Sequence, residues 1–166
     1  MYSFRTIWRV DASPEHVWAE IERVMAGESA GWWPAFRVER PAPLERGAAL
    51  GVVVRAPFGY RLRIVLTLTD VEPRRFIAAR SAGDLDGGGG IEITPEGGGT
   101  AMRFVWDVAV RKRWMRVASP VLRPVFALAH GLVMRAGERG LRRAVASGAR
   151  KTANPAPGSR DPRAAG

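Results

Sequence analysis

The 166-residue chain contains no cysteine, which excludes disulfides and thiolate metal sites alike. Histidine is nearly as scarce, with His16 and His130 the whole supply. No H-x-x-x-H or H-E-x-x-H spacing can be drawn from them, and His130, Asp84 and Asp86 are the best cluster on offer. Neither a metal nor a cofactor is therefore expected. None of the few serines sits in a G-x-S-x-G elbow, so nucleophilic catalysis has no support. Long apolar runs are missing too. VLRPVFALAHGLVM (121–134) is too short for a bilayer and is broken by Arg123 and Pro124. The opening MYSFRTIWRV, interrupted by Arg5 and Arg9, lacks the layout of a secretory signal, and the expectation is a soluble, cytoplasmic protein.

What the chain does have is the composition of one ordinary globular domain, 46% apolar and 25% charged. Its net charge of +10 is uneven: residues 1–110 sum to −1, residues 111–147 to +8 and residues 148–166 to +3. A basic C-terminal third suits a solvated, arginine-rich helix face, and it also suits docking to nucleic acid or an anionic membrane.

Hydrophobic periodicity divides the chain. YSFRTIWRV (2–10) alternates Tyr2, Phe4, Trp8 and Val10 with Ser3, Arg5 and Arg9, which predicts a strand buried on one face. Ser13, Pro14 and Glu15 form a helix start, Val17, Trp18, Ile21, Val24 and Met25 recur at helical spacing, and Gly27 stops the helix. Six more strands are expected: Phe36–Glu39, Leu50–Arg55, Arg61–Val71, Phe76–Arg80, Ile91–Thr94 and Thr100–Val110. From Ser119 and Pro120 the period becomes helical for about 26 residues, with Pro124 tolerated in the first turns. The last stretch, SGARKTANPAPGSRDPRAAG, has no apolar period, and residues 148–166 are expected to be a disordered basic tail to a domain of residues 1–147.

AGDLDGGGGIEI (82–93) invites a chemical reading, with two carboxylates running into four glycines. A phosphate cradle needs glycines ahead of a helix, whereas the strand IEIT follows these. A calcium loop begun at Asp84 would want an oxygen ligand at 88 and a glutamate at 95, where Gly88 and Pro95 stand. The stretch is instead expected to be a strand loosened in its first half by a bulge or bend, with Asp84 and Asp86 solvated or paired to an arginine.

The element order and the segments WRVDASPEHVWAEI, WWPAF, GDLDGGG, TAMRFVWDV, WMR and RPVFALAHGLVMRAGERGL resemble the START-like (SRPBCC) superfamily, in its bacterial polyketide cyclase/dehydrase and lipid-transport branch. The resemblance implies an α+β helix-grip fold, a curved antiparallel sheet of about seven strands wrapped around a long C-terminal helix. Such a sheet leaves a cavity suited to an apolar ligand. The inward positions nominate Trp8, Leu66, Phe76, Met102, Phe104, Trp106, Phe126, His130 and Met134 as lining. The resemblance places Trp32, Trp33 and Phe36 at the mouth. Arg63, Arg80 and Asp107 could fix a ligand's polar group, if the register turns them inward.

Two readings share this cavity. One is a carrier or sensor, monomeric or homodimeric, for a hydrophobic or aromatic small molecule, lipid- or polyketide-like. The other, implied by the family, is a polyketide cyclase/dehydrase with His130 as acid or base. No conspicuous acid–base pair accompanies His130, so the carrier reading stands ahead. His16, in the first helical turn, reads as a surface residue.

Overall fold

The structure, a computed structural model, describes residues 2–28, 30–55, 59, 61–110 and 119–153. The alternation of Tyr2–Val10 is realised as strand β1, in which Trp8 and Val10 are buried while Arg5 and Arg9 face solvent. Helix α1, Pro14–Met25, begins where Ser13 caps it: the Ser13 hydroxyl accepts from the His16 amide at 3.5 Å. Its apolar stripe buries Val17, Trp18, Ile21 and Val24, and Gly27, at φ +77°, ends it. A single 3-10 turn, Ala30–Trp32, follows.

The remaining strands are β2 (Phe36–Arg40), β3 (Ala49–Arg55), β4 (Arg61–Glu72), β5 (Phe76–Gly83), β6 (Leu85–Glu96) and β7 (Gly99–Val110). With β1 they form one seven-stranded antiparallel sheet in the order β1-β7-β6-β5-β4-β3-β2, so the first two strands are the edges. The sheet is curled into a half-barrel, and a long C-terminal helix, α2 (Ser119–Ala153), completes a helix-grip α+β fold. The clean alternation of β4, with Leu62, Ile64, Leu66 and Leu68 buried and their neighbours exposed, identifies the concave, core-facing side.

Helix α2 has 35 residues, longer than the apolar spacing predicts, because its helical backbone runs on past Ser147 to Ala153. Residues 154–166 lie outside the described residues. Two glycines set how closely α2 docks. A Cβ on Gly137 would stand 2.7 Å from both the Trp33 and Trp8 indoles, and one on Gly140 would run into the Trp32 carbonyl. The helix also covers the free edge of β1: the Arg9 amide donates to Glu138 at 3.1 Å, and Arg142 Nε donates to the Arg9 carbonyl at 2.7 Å. Those bonds occupy edge groups that would otherwise invite another strand.

The glycine run is a strand. Gly87–Gly90 belong to β6 and pair without a register break to β5 on one side and β7 on the other. The expected bulge is not there. The register shifts fall instead in β2–β3, between Val38 and Arg40, and in β4–β5, between Leu68 and Asp70. The glycines serve both faces of the sheet. Gly89 leaves room on the concave side for the Trp106 indole, and Gly90 leaves room on the convex side for Phe76, whose ring would stand 3.3 Å from an added Cβ. Asp84 accepts a hydrogen bond from the Arg63 amide at 2.9 Å and so pins the β5–β6 bend.

Candidate functional site

Between the concave face of the sheet and α2 lies a cavity of about 250 Å³. Sheet side chains form one wall, among them Leu62, Ile64, Leu66, Ile91, Phe104 and Trp106. Helix side chains form the other: Phe126, Ala129, His130, Val133 and Met134, which recur at the helical spacing of one face. Trp33 and Phe36 close one end, and Tyr2 and Phe4 of β1 stand at the other.

Two aromatic clusters frame this space. In the first, Trp33 stacks on Phe36 (ring centroids 4.8 Å apart) and meets Trp8 edge-on at 5.2 Å, while Trp8 leans on Phe104 at 4.4 Å. The Trp33 indole N–H donates to the Val133 carbonyl at 3.2 Å, fixing that ring against α2. In the second cluster the His130 imidazole stacks on Phe4 at 4.1 Å, and Phe126 meets Tyr2 edge-on at 5.6 Å. His130 Nε2 lies 3.4 Å from Thr6 Oγ1, its one hydrogen bond among the described residues. Burial removes water from this imidazole and holds its pKa below the usual histidine value. At neutral pH the ring is therefore uncharged, with one nitrogen to donate and one to accept.

Eight of the twelve residues nominated from sequence come together on the lining: Trp33, Phe36, Leu66, Phe104, Trp106, Phe126, His130 and Met134. The other four are elsewhere, each for a physical reason. Trp8 is on the concave side but only 1% exposed, sealed behind Trp33 and Phe104. Met102, also 1% exposed, pairs in register with Trp8 and Ile93 and fills the closed end of the core. Trp32 stacks on the far side of Trp33, centroids 5.8 Å apart, in a groove that it shares with Arg139 and Arg143 of α2. Phe76 is on the convex face. On β5 the alternate residues Ile77, Ala79 and Ser81 are the buried ones, so the strand period turns Phe76 out. Arg63, Arg80 and Asp107 are likewise exposed on the convex side.

Lining residues that the sequence reasoning passed over include Tyr2, Phe4, Leu62, Ile64 and Val133. The signal for the first four was present, since they share alternating faces with residues already nominated. Val133 carried one too, since it recurs with Phe126 and His130 at the helical spacing of one face. Among the described residues no three His, Cys, Asp or Glu side chains converge as a metal site. No helix among them is long and apolar enough to cross a membrane.

The sequence model of the family described as polyketide cyclase/dehydrase and lipid transport matches residues 1–148. Among solved structures, a Chromobacterium violaceum protein superposes with a TM-score of 0.64 at 16% identity, covering 86% of this chain and 96% of its own. A Thermus thermophilus protein gives 0.65 at 13% identity over 86% and 99% of the two chains. A Geobacillus kaustophilus protein gives 0.65 at 11% identity over 88% and 96%. At such identities the likeness is one of fold. No curated protein matches the sequence significantly.

Proposed function

The chain belongs to the polyketide cyclase/dehydrase and lipid transport family, and from that premise we propose that it binds a hydrophobic or aromatic small molecule in the internal cavity, as a carrier or sensor. The observation that carries this reading is the cavity itself, a space walled by aromatic and aliphatic side chains where a closed core would have filled the gap. The ligand-binding unit is residues 1–147, and the cytoplasm is its proposed location.

A cyclase would use the same cavity, with His130 as acid or base. The bonding of His130 favours the carrier reading. Its partner is a threonine hydroxyl at 3.4 Å, and among the described residues no carboxylate orients or charges the ring. A carrier needs only the walls.

The test is uptake of the neutral fluorophore N-phenyl-1-naphthylamine by the full chain. One saturable site is expected, with affinity reduced at least about tenfold in Trp106→Ala, which removes an aromatic wall. Absence of saturable uptake would refute the binding reading.

A second reading concerns the outside of α2 and is favoured by a different observation. Leu128 and Leu132, 56% and 42% exposed, lie on one solvent-facing stripe with Arg135, Arg139, Arg142 and Arg143. The stripe's nearest acid, Glu138, is already bound to Arg142 and the Arg9 amide. Exposed leucines continued by arginines suit an anionic membrane surface better than nucleic acid, which offers nothing for the leucines.

A further inference from the structure

We propose that the cavity selects uncharged ligands: a compact, ring-containing molecule whose single hydroxyl or carbonyl is held at His130, and not a carboxylate, sulfonate or phosphate. This rests on the binding reading given above and narrows it to a ligand class. The chain carries 26 lysines and arginines, yet none of them is among the described residues that line the cavity. The sheet shows why. Arg5, Arg63, Arg80 and Arg103 occupy the alternate positions of β1, β4, β5 and β7, and the strand period sends all four to the convex face. An anion entering the cavity would leave water and meet no counter-charge among the described lining residues. Among the described lining residues His130 is the one side chain whose charge could change near neutral pH, and its burial opposes the positive form.

Size narrows the class further. At about 250 Å³ the cavity falls below the roughly 300–1,000 Å³ of drug-sized ligand pockets. Two or three fused rings suit that space, and a long acyl chain does not. The flat walls, Phe4 stacked on His130 and Trp33 stacked on Phe36, favour a flat guest. The guest's polar end goes to His130, because the 3.4 Å contact to Thr6 is long and easily exchanged for a shorter bond to the ligand.

The experiment is displacement of bound N-phenyl-1-naphthylamine from the full chain at pH 7.5 by three matched competitors: naphthalene, 2-naphthol and 2-naphthoate. The expected order is 2-naphthol first, naphthalene several-fold weaker, and 2-naphthoate at least about tenfold weaker than 2-naphthol. Displacement by 2-naphthoate equal to that by 2-naphthol would overturn the selection against charge while leaving the binding site itself intact. No uptake of the fluorophore in the first place would overturn both. His130→Phe keeps the stack on Phe4 and removes the hydrogen bond, so 2-naphthol should fall to the level of naphthalene. If 2-naphthol keeps its advantage in that variant, the polar end does not sit at His130.

Discussion

His130 is where a single side chain has the most to say. Its neighbours are Phe4 below the ring and Thr6 beside it, and burial holds its pKa below the histidine reference of about 6.5. The unfolded chain therefore binds a proton that the folded chain resists. The resulting stability is fully present above about pH 6.5 and is lost as pH falls through the folded-state value. Urea unfolding of the native chain at pH 8 and pH 5 should show a drop on acidification that is smaller in His130→Phe. Identical pH dependence in the two proteins would remove His130 from the acid response. Trp32 and Trp33 show the limit of reading at this scale. Adjacent in sequence and parallel in space, they differ in role because Trp33 faces the cavity and Trp32 faces the groove beside α2.

At the scale of the element, α2 is shaped by where glycine is needed and where it is not. Gly131 has nothing within 4 Å of an added Cβ, whereas Gly140 has the Trp32 backbone against it. Helix propensity alone says that alanine should stabilise α2 at both positions by about 1 kcal/mol. Packing reverses the sign at one of them. Gly131→Ala should raise the thermal midpoint, and Gly140→Ala should lower it by about 1–3 kcal/mol of stability, because the helix must retreat from the 3-10 turn. Calorimetry of the two variants decides this, and a stabilised Gly140→Ala would mean that α2 does not dock as closely as described. The strands teach the complementary lesson. The alternation in β1, β4 and β7 was legible because each has one buried face of large side chains, but β5 buries Ile77, Ala79 and Ser81, a set too small and too polar for hydrophobicity to announce its phase. Phe76 was accordingly placed on the wrong side of the sheet by pattern alone.

For the whole molecule, charge and cavity are kept apart. The sheet sends its arginines to the convex face and α2 sends Arg135, Arg139, Arg142 and Arg143 to solvent, so a chain of net charge +10 has a cavity with no charged side chain among its described lining residues. If the outer stripe of α2 meets an anionic membrane, the full chain should sediment with phosphatidylserine-containing vesicles and not with pure phosphatidylcholine. Each arginine near such a surface is worth about 1 kcal/mol, so removing the charges of Arg139 and Arg143 together should weaken binding roughly 30-fold. Leu128→Ser with Leu132→Ser should weaken it at unchanged charge. Binding to a DNA duplex that survives the leucine substitutions, with no vesicle binding, would reassign the stripe to nucleic acid.

By itself the sequence determined the class of the fold and the boundaries of most elements. Those depend on local periodicity, caps and turn residues, and each lies within a few residues of the feature it explains: Ser13 and Gly27 at the ends of α1, the alternating leucines of β4. Only the tertiary structure decided what the cavity is made of. Whether a buried aromatic lines a space, as Trp106 does, or is sealed behind other rings, as Trp8 is, depends on side chains distant in sequence. The glycine run shows the same division. Local chemistry was enough to rule out a phosphate cradle or a calcium loop, but the use of the missing side chains appeared only when Trp106 and Phe76 were seen packed against opposite faces of one strand.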